Sequence, residues 1–183
     1  MELEKTIQER RSYRSLEPAE ITNELVRELA SAASLAPSCY NNQPWRFVFI
    51  YDAEMLGKIR ETLSKGNEWA RKGSMIIAVI GKKEDDCVIG ERTYYQFDIG
   101  MATGFLLLKA TELGLVAHPI AGYSPKKVRV VLGVPGEFEV ITLLIVGKKH
   151  EGLEGLSEQQ VENEKTRPER LCFEKFAYLN RMG

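Results

Sequence analysis

The chain has little of what most metal and nucleophile chemistry is built from. In 183 residues it holds two histidines, His118 and His150, and three cysteines, Cys39, Cys87 and Cys172. Neither histidine has a metal-ligand partner nearby in sequence, and a histidine-based triad would rest on one of them without a supporting motif. The cysteines are odd in number, and neither a disulfide framework nor a zinc knuckle follows from their spacing. Charge of one sign is also lacking: the net charge is −1, so no whole-molecule field favours nucleic acid or anionic lipid. The longest apolar run, residues 99–108, is about half the length needed to span a bilayer. The start, M-E-L-E-K-T, carries charges and no apolar signal region. No G-x-G-x-x-G follows a strand pattern and no G-K-[ST] loop occurs, which argues against a Rossmann domain or a P-loop NTPase. A reducing cytoplasm is the expected location, with no nucleic-acid or membrane partner.

What is present suits a globular protein: 44% apolar and 28% charged residues, with no repeat or low-complexity linker. One domain, residues 1–183, is expected, burying roughly 70% of its unfolded surface. Residues 3–9 read as a short helix ending at R-R-S-Y-R. Thr22 is a plausible N-cap for a helix bearing Leu25, Val26, Leu29, Ala32, Ala33 and Ala36 at helical spacing. Strands are expected at 46–52, 74–81, 115–122 and 140–148, and helices at 53–64 and 125–132. The strongest helix pattern, about 92–113, is apolar on nearly every face in its middle. Such a helix is either a core axle or buried against another subunit. Gly100 and Gly104 would let a neighbouring backbone approach, and Gly114 suits a C-cap. The tail carries Leu171, Cys172, Phe173, Phe176, Tyr178 and Leu179, which need a surface to cover.

Residues 36–45, A-P-S-C-Y-N-N-Q-P-W, form a polar loop that starts where a helix pattern ends. Pro37 and Pro44 restrict the backbone on both sides. The loop is either a well-satisfied turn or a rigid holder for a flat polar heterocycle, closed by the indole of Trp45. The one dense basic cluster, Arg10, Arg11 and Arg14, is enough for a phosphate and too small for a nucleic-acid footprint.

Taken together, these segments resemble the nitroreductase family of FMN-dependent oxidoreductases. The matches are R-R-S-Y-R at 10–14, the A-P-S-x-x-N-x-Q-P-W loop, G-N-E-W-A at 66–70, the long helix from Asp98, H-P-I-A-G-Y at 118–123, and K-T-R-P at 165–168. The resemblance implies an α+β fold, a central mostly antiparallel sheet flanked by helices. It also implies a long dimer-interface helix and a C-terminal arm embracing the partner. Arg10, Arg11, Ser12, Lys165 and Arg167 would meet the FMN phosphate. Arg14 and Asn67 would reach the pyrimidine edge of the flavin, where negative charge develops on reduction. Pro119, Ile120, Ala121 and Gly122 would lie against the ring, with the main-chain N–H of Ala121 near N5. Pro37, Ser38, Cys39 and Asn41 would reach the same flavin from the other protomer of a homodimer. Cys39 stands where relatives often carry a small hydroxyl residue and is expected to be a size-equivalent stand-in, not a nucleophile. The short stretch between Gly81 and Gly90 implies an open or differently lidded pocket.

The activity so implied is hydride transfer from NADH or NADPH and reduction of a small acceptor, a nitroaromatic or quinone, by a ping-pong mechanism. No side chain is named as catalytic and none as a metal ligand. The alternatives are a flavin-fragmenting or dehalogenating relative, a non-enzymatic FMN-binding or redox-sensing dimer, and a structural dimer with a vacant site.

Overall fold

A computed structural model describes residues 2–182. The sheet is built on two apolar strands, β3 (Met75–Gly81) and β7 (Glu139–Lys149). Every residue of β3 is buried, which is the pattern of a central strand covered on both faces. Around this pair lie β1 (Leu16–Glu17), β2 (Arg46–Ile50) and β6 (Val116–Ile120). The order is β1-β7-β3-β2, with β6 also pairing β7, and every pairing is antiparallel. β7 is long enough to serve three neighbours, and the register slips between Val79 and Ile80 where β3 meets it.

Five helices surround the sheet and a sixth, short one precedes it: α1 (Leu3–Glu9), α2 (Asn23–Ser34), α3 (Ala53–Arg60), α4 (Tyr95–Glu112), α5 (Pro125–Leu132) and α6 (Glu158–Lys165). Local chemistry sets their starts. Thr22, Asp52, Ser124 and Ser157 each accept a backbone N–H of the first turn through the side chain. Ser157 and Gln160 complete a capping box, satisfying two orphan donors reciprocally. Gly114, at φ 73°, follows the last turn of α4 in the left-handed conformation that a Cβ disfavours.

Each face of the sheet carries its own core. One contains Ile59, Trp69, Ile76, Ala78, Val128 and Ile145. The other contains Leu29, Trp45, Ile77, Val79, Ile99, Leu106 and Leu144. Trp45, expected to close a heterocycle site, is thus a core residue. α4 buries Ile99, Ala102, Leu106 and Ala110 inside its own chain. Its opposite face presents Phe97, Gly100 and Phe105 to the outside, and a Cβ at Gly100 or Gly104 would meet open space. The helix is a core axle on one side and uncovered on the other. In the tail, Leu171, Phe173, Phe176, Tyr178 and Leu179 are exposed.

The short stretch after Gly81 has structure of its own. It folds into a small hairpin, β4 (Val88–Ile89) and β5 (Arg92–Thr93), turning at Gly90. The disulfide that the cysteine count did not suggest is also here: Cys39 is bonded to Cys87 across a Cα–Cα distance of 6.1 Å. Folding brings the two together because the 36–45 loop and the residues after β3 meet beside the start of α4. Cys39 is therefore a bridging residue and not a hydroxyl stand-in.

Because Leu106 is fully buried between α4 and the sheet, Leu106→Ala should cost about 2–5 kcal/mol of stability. Chemical denaturation should show this as a lower midpoint at unchanged slope. A loss under about 1 kcal/mol would mean that α4 is held mainly from its outer face.

Candidate functional site

The two ends of the chain meet at one cleft. Residues 10–14 leave α1 and run toward β1, and α6 packs beside them. Glu164, buried at the last turn of α6, accepts the backbone N–H of Arg14 at 2.7 Å and of Ser15 at 3.4 Å. Arg11 answers from the other side, donating through Nη2 to the carbonyls of Asn163, Glu164 and Thr166. Those carbonyls are the unpaired acceptors of a helix C-terminus, where a cation is favoured. Arg11 is spent on holding α6.

A cleft of about 250 Å³ results, lined by Arg10, Arg11, Ser12, Arg14, Asn163, Arg167, Pro168 and Arg170. Arg167 donates to the Arg10 carbonyl at 2.6 Å, and Arg10 Nη1 lies 3.4 Å from Ser12 Oγ. Desolvation, then the charges of Arg167 and Arg170, lower the pKa of Arg10. Like charges crowded into a partly desolvated concavity are unfavourable until an anion joins them. Arg170 is a member of this group that the sequence reading missed; only its position two residues beyond R-P hinted at it. Lys165 is exposed and is not among the lining residues.

Next to the cleft lies an aromatic and amide cluster. Trp69 stacks on His118, ring centroids 4.6 Å apart, and the Arg14 guanidinium sits 5.9 Å from the Trp69 ring centre. Asn67 donates to the Gly122 carbonyl at 2.8 Å and accepts the Trp69 indole N–H at 3.2 Å. A Cβ on Gly122 would collide with that Asn67 amide nitrogen. The close approach that requires glycine is thus to Asn67. Asn67 in turn fixes the residue just beyond β6, where Pro119 and Ile120 are still paired with β7 and Ala121 stands exposed.

His118 is 6% exposed, with Nδ1 3.0 Å from the Tyr13 carbonyl. A carbonyl only accepts, so Nδ1 carries the proton. Burial, reinforced by the charges of Arg14 and Arg10, pushes the pKa of His118 down to about 4 against the opposing Tyr13 bond. The imidazole is neutral at physiological pH.

The 36–45 loop lies apart. No hydrogen bond or ion pair among the described residues joins Pro37, Ser38, Cys39 or Asn41 to the arginine cleft. The loop's own geometry is unusual: Tyr40, Asn41 and Gln43 have φ of 49°, 58° and 50°, and such non-glycine residues each cost of order 1–3 kcal/mol. Bonds within the loop and to its surroundings hold it, among them these. Cys39 N–H donates to Asp98 Oδ2 at 2.7 Å, Gln43 N–H donates to Ser38 Oγ at 3.0 Å, and the disulfide ties it to the hairpin. Asp98, 2% exposed, has its pKa raised by burial, with the nearby charge of Asp86 adding and the Cys39 N–H opposing. Asn41 sits beside an almost fully exposed Tyr40. The loop is thus strained, anchored and exposed at Asn41, Asn42 and Gln43.

Comparison with known proteins agrees with this architecture. The sequence profile of the nitroreductase family matches residues 7–148. A protein of Archaeoglobus fulgidus named as an NADH dehydrogenase/NAD(P)H nitroreductase is 30% identical, covering 78% of this chain and 83% of its own. An iodotyrosine deiodinase of Haliscomenobacter hydrossis is 28% identical, covering 78% and 77%. A crystal structure described as an oxidoreductase containing FMN superposes with a TM-score of 0.86 at 27% identity, covering 97% of this chain and 91% of that one.

The His118 shift has a defined sign. The folded pKa of about 4 lies below the ordinary 6.5, so the unfolded state binds the extra proton between those values. Its contribution is full above pH 6.5 and is lost as pH falls toward 4, by at most about 3 kcal/mol. Stability measured across that window should decline less steeply in His118→Phe than in the parent. Parallel curves would show that His118 is not held neutral.

Proposed function

The chain belongs to the nitroreductase family, and on that premise we propose that it is an FMN-dependent oxidoreductase. It takes hydride from NADH or NADPH and reduces a small acceptor such as a nitroaromatic or a quinone by a ping-pong mechanism, as a cytoplasmic homodimer. Among the described residues, no helix is long and apolar enough to cross a membrane.

The observation that carries this reading is the mutual repulsion in the arginine cleft. Desolvation first, and then the charges of Arg167 and Arg170, lower the pKa of Arg10, and a phosphate dianion offsets both while accepting planar, paired N–H donors. Ser12 adds a hydroxyl at the rim. The residues present therefore fit the phosphate of FMN. The chemistry that FMN supplies when bound is hydride acceptance at its ring and delivery of electrons to an acceptor.

The chain's part is position and charge. Arg14, held over Trp69, puts a cation beside the cluster that leads to Gly122, where it opposes negative charge developing on a bound ring system. Asn67 fixes residues 119–122 as a backbone surface facing that ring. His118 stays neutral and keeps its proton on Nδ1, so it adds no positive charge there. Residues 37–41 would reach the ring from the second protomer, which accounts for their separation from the cleft within one chain. The names of the Archaeoglobus relative and of the FMN-containing oxidoreductase support the donor and the cofactor. The deiodinase relative supports a second reading, reductive dehalogenation of a halophenol at the same site.

The purified protein should be yellow and release FMN, not FAD. Arg10→Ala should weaken FMN binding about tenfold to a hundredfold, the loss for a hydrogen bond to a charged group. Riboflavin, lacking the phosphate, should bind parent and variant equally. Equal losses for both flavins would show that Arg10 supports the fold. Anaerobic NADH or NADPH should bleach the flavin, and a nitroaromatic or quinone should restore it; restoration by iodotyrosine alone would select the second reading. Failure of both nicotinamides to bleach it would overturn the oxidoreductase assignment.

A further inference from the structure

Between the 36–45 loop and the hairpin lies a side-chain cluster of which the flavin reading uses only the loop residue Cys39, and neither Asp86 nor Cys87. Cys39 Sγ, Cys87 Sγ and a carboxylate oxygen of Asp86 all lie within 4.8 Å of one another. Asp86 is 8% exposed, and its Oδ2 is buried with no hydrogen-bond partner. Its other oxygen, Oδ1, accepts from Asn42 Nδ2 at 3.2 Å, and the same nitrogen lies 3.5 Å from Cys87 Sγ. Asp98, beside Asp86, accepts the Cys39 backbone N–H.

A buried carboxylate oxygen without a partner is costly, and beside it stands the Asp98 carboxyl, a second acidic group close enough to share a proton with Asp86. Without that proton, a cation is what relieves the pair. Reduction makes the imbalance worse. The S–S bond takes up two electrons and two protons from a dithiol reductant, giving two thiols beside two carboxyl groups. If the thiols ionise, up to four negative charges crowd a half-buried pocket. A divalent cation removes that conflict, displacing the two thiol protons to solvent.

We propose that Cys39, Cys87 and Asp86 form a binding site for a thiophilic divalent cation of the zinc type, open when the Cys39–Cys87 pair is reduced and abolished when it is oxidised. The geometry suits such an ion. At a metal–sulfur distance of about 2.3 Å, two sulfurs on a tetrahedral centre stand about 3.8 Å apart, within the span of the cluster. The Cα–Cα distance of 6.1 Å allows that separation by side-chain rotation alone. Two thiolates and a carboxylate suit zinc better than magnesium or calcium, which prefer all-oxygen shells. Asn42 would donate to both Asp86 and Cys87, the outer support that orients metal ligands. The fourth position is left to water or a further ligand. In a reducing compartment the metal form would hold the loop against the hairpin, as the disulfide does in an oxidising one.

The site is tested apart from any flavin turnover. The full-length, flavin-loaded protein, carrying Cys172→Ser to remove the third thiol, is reduced with a dithiol, desalted anaerobically and titrated with cobalt(II). One equivalent per chain should produce tetrahedral d–d bands to the red of the flavin and thiolate-to-cobalt charge transfer. Zinc should displace both. The disulfide form should show neither. Asp86→Asn, nearly isosteric, should weaken cobalt binding at least about tenfold, the lower end seen for outer-shell changes. Cys87→Ser should roughly halve the charge-transfer intensity and serves where Asp86→Asn folds poorly. Absence of the bands in reduced protein, or identical titrations of parent and Asp86→Asn, would overturn the proposal.

Discussion

The joining of the two chain ends is the constraint on which the rest depends. Glu164 accepting the N–H groups of Arg14 and Ser15, Arg11 satisfying the carbonyls at the end of α6, and Arg167 donating to the Arg10 carbonyl together hold the tail beside residues 10–14. Without these contacts the arginines would be scattered surface charges. Held together, Arg10, Arg167 and Arg170 share a small concavity and repel one another. The helix-end contacts of Arg11 and the buried Glu164 hold these cations together, an arrangement that an anion would relieve. Structural and ligand-facing roles are thus divided between neighbouring residues of one R-R pair. Arg11 is tied into the protein, and Arg10 faces the cleft.

A second constraint is apolar surface left without cover. α4 completes one core with Ile99, Ala102 and Leu106, yet shows Phe97 and Phe105 to the outside. The tail shows Leu171, Phe173, Phe176 and Leu179. Exposed groups of that size are costly when contiguous and mark association surfaces. The glycines at 100 and 104 face open space, so the outer face of α4 is shallow enough for another backbone to come near. A second copy is a suitable occupant, because a two-fold arrangement covers the same patch on both chains.

Much of the fold was legible in the sequence. Caps at Thr22, Pro125 at a helix start, Gly114 after a helix and the unbroken apolar run of β3 are local signals, and each element fell where its signal stood. The limits were non-local. Residues 92–113 read as apolar all round, but only the folded chain shows which face β3, β6 and α2 cover. Trp45 read as part of a binding loop because its neighbours are polar, whereas its indole turns inward. At the site, Arg10, Arg11, Ser12, Arg14 and Arg167 do converge, although Arg11 serves the helix end. Arg170 was invisible because its place depends on how the chain turns after Pro168. The resemblance to a family gave the order of motifs, and nothing in periodicity alone would have joined residue 10 to residue 167.

The disulfide shows the same limit most sharply. Forty-eight residues separate Cys39 from Cys87, and the intervening chain contains two strands and a helix, so spacing carries no information about their contact. What brings them together is the return of β3 antiparallel to β2, which sets the residues after Gly81 beside those before Arg46. Arg46 then pairs with Asp85 at 3.0 Å, and the cysteines flank that contact. A loop with three left-handed non-glycine residues needs such external ties, because its backbone would otherwise relax. The tie at Cys39 is the one whose chemistry changes with redox conditions. The rigidity of the 36–45 loop is therefore conditional, set by whether the two sulfurs are joined to each other, bridged by an ion, or free.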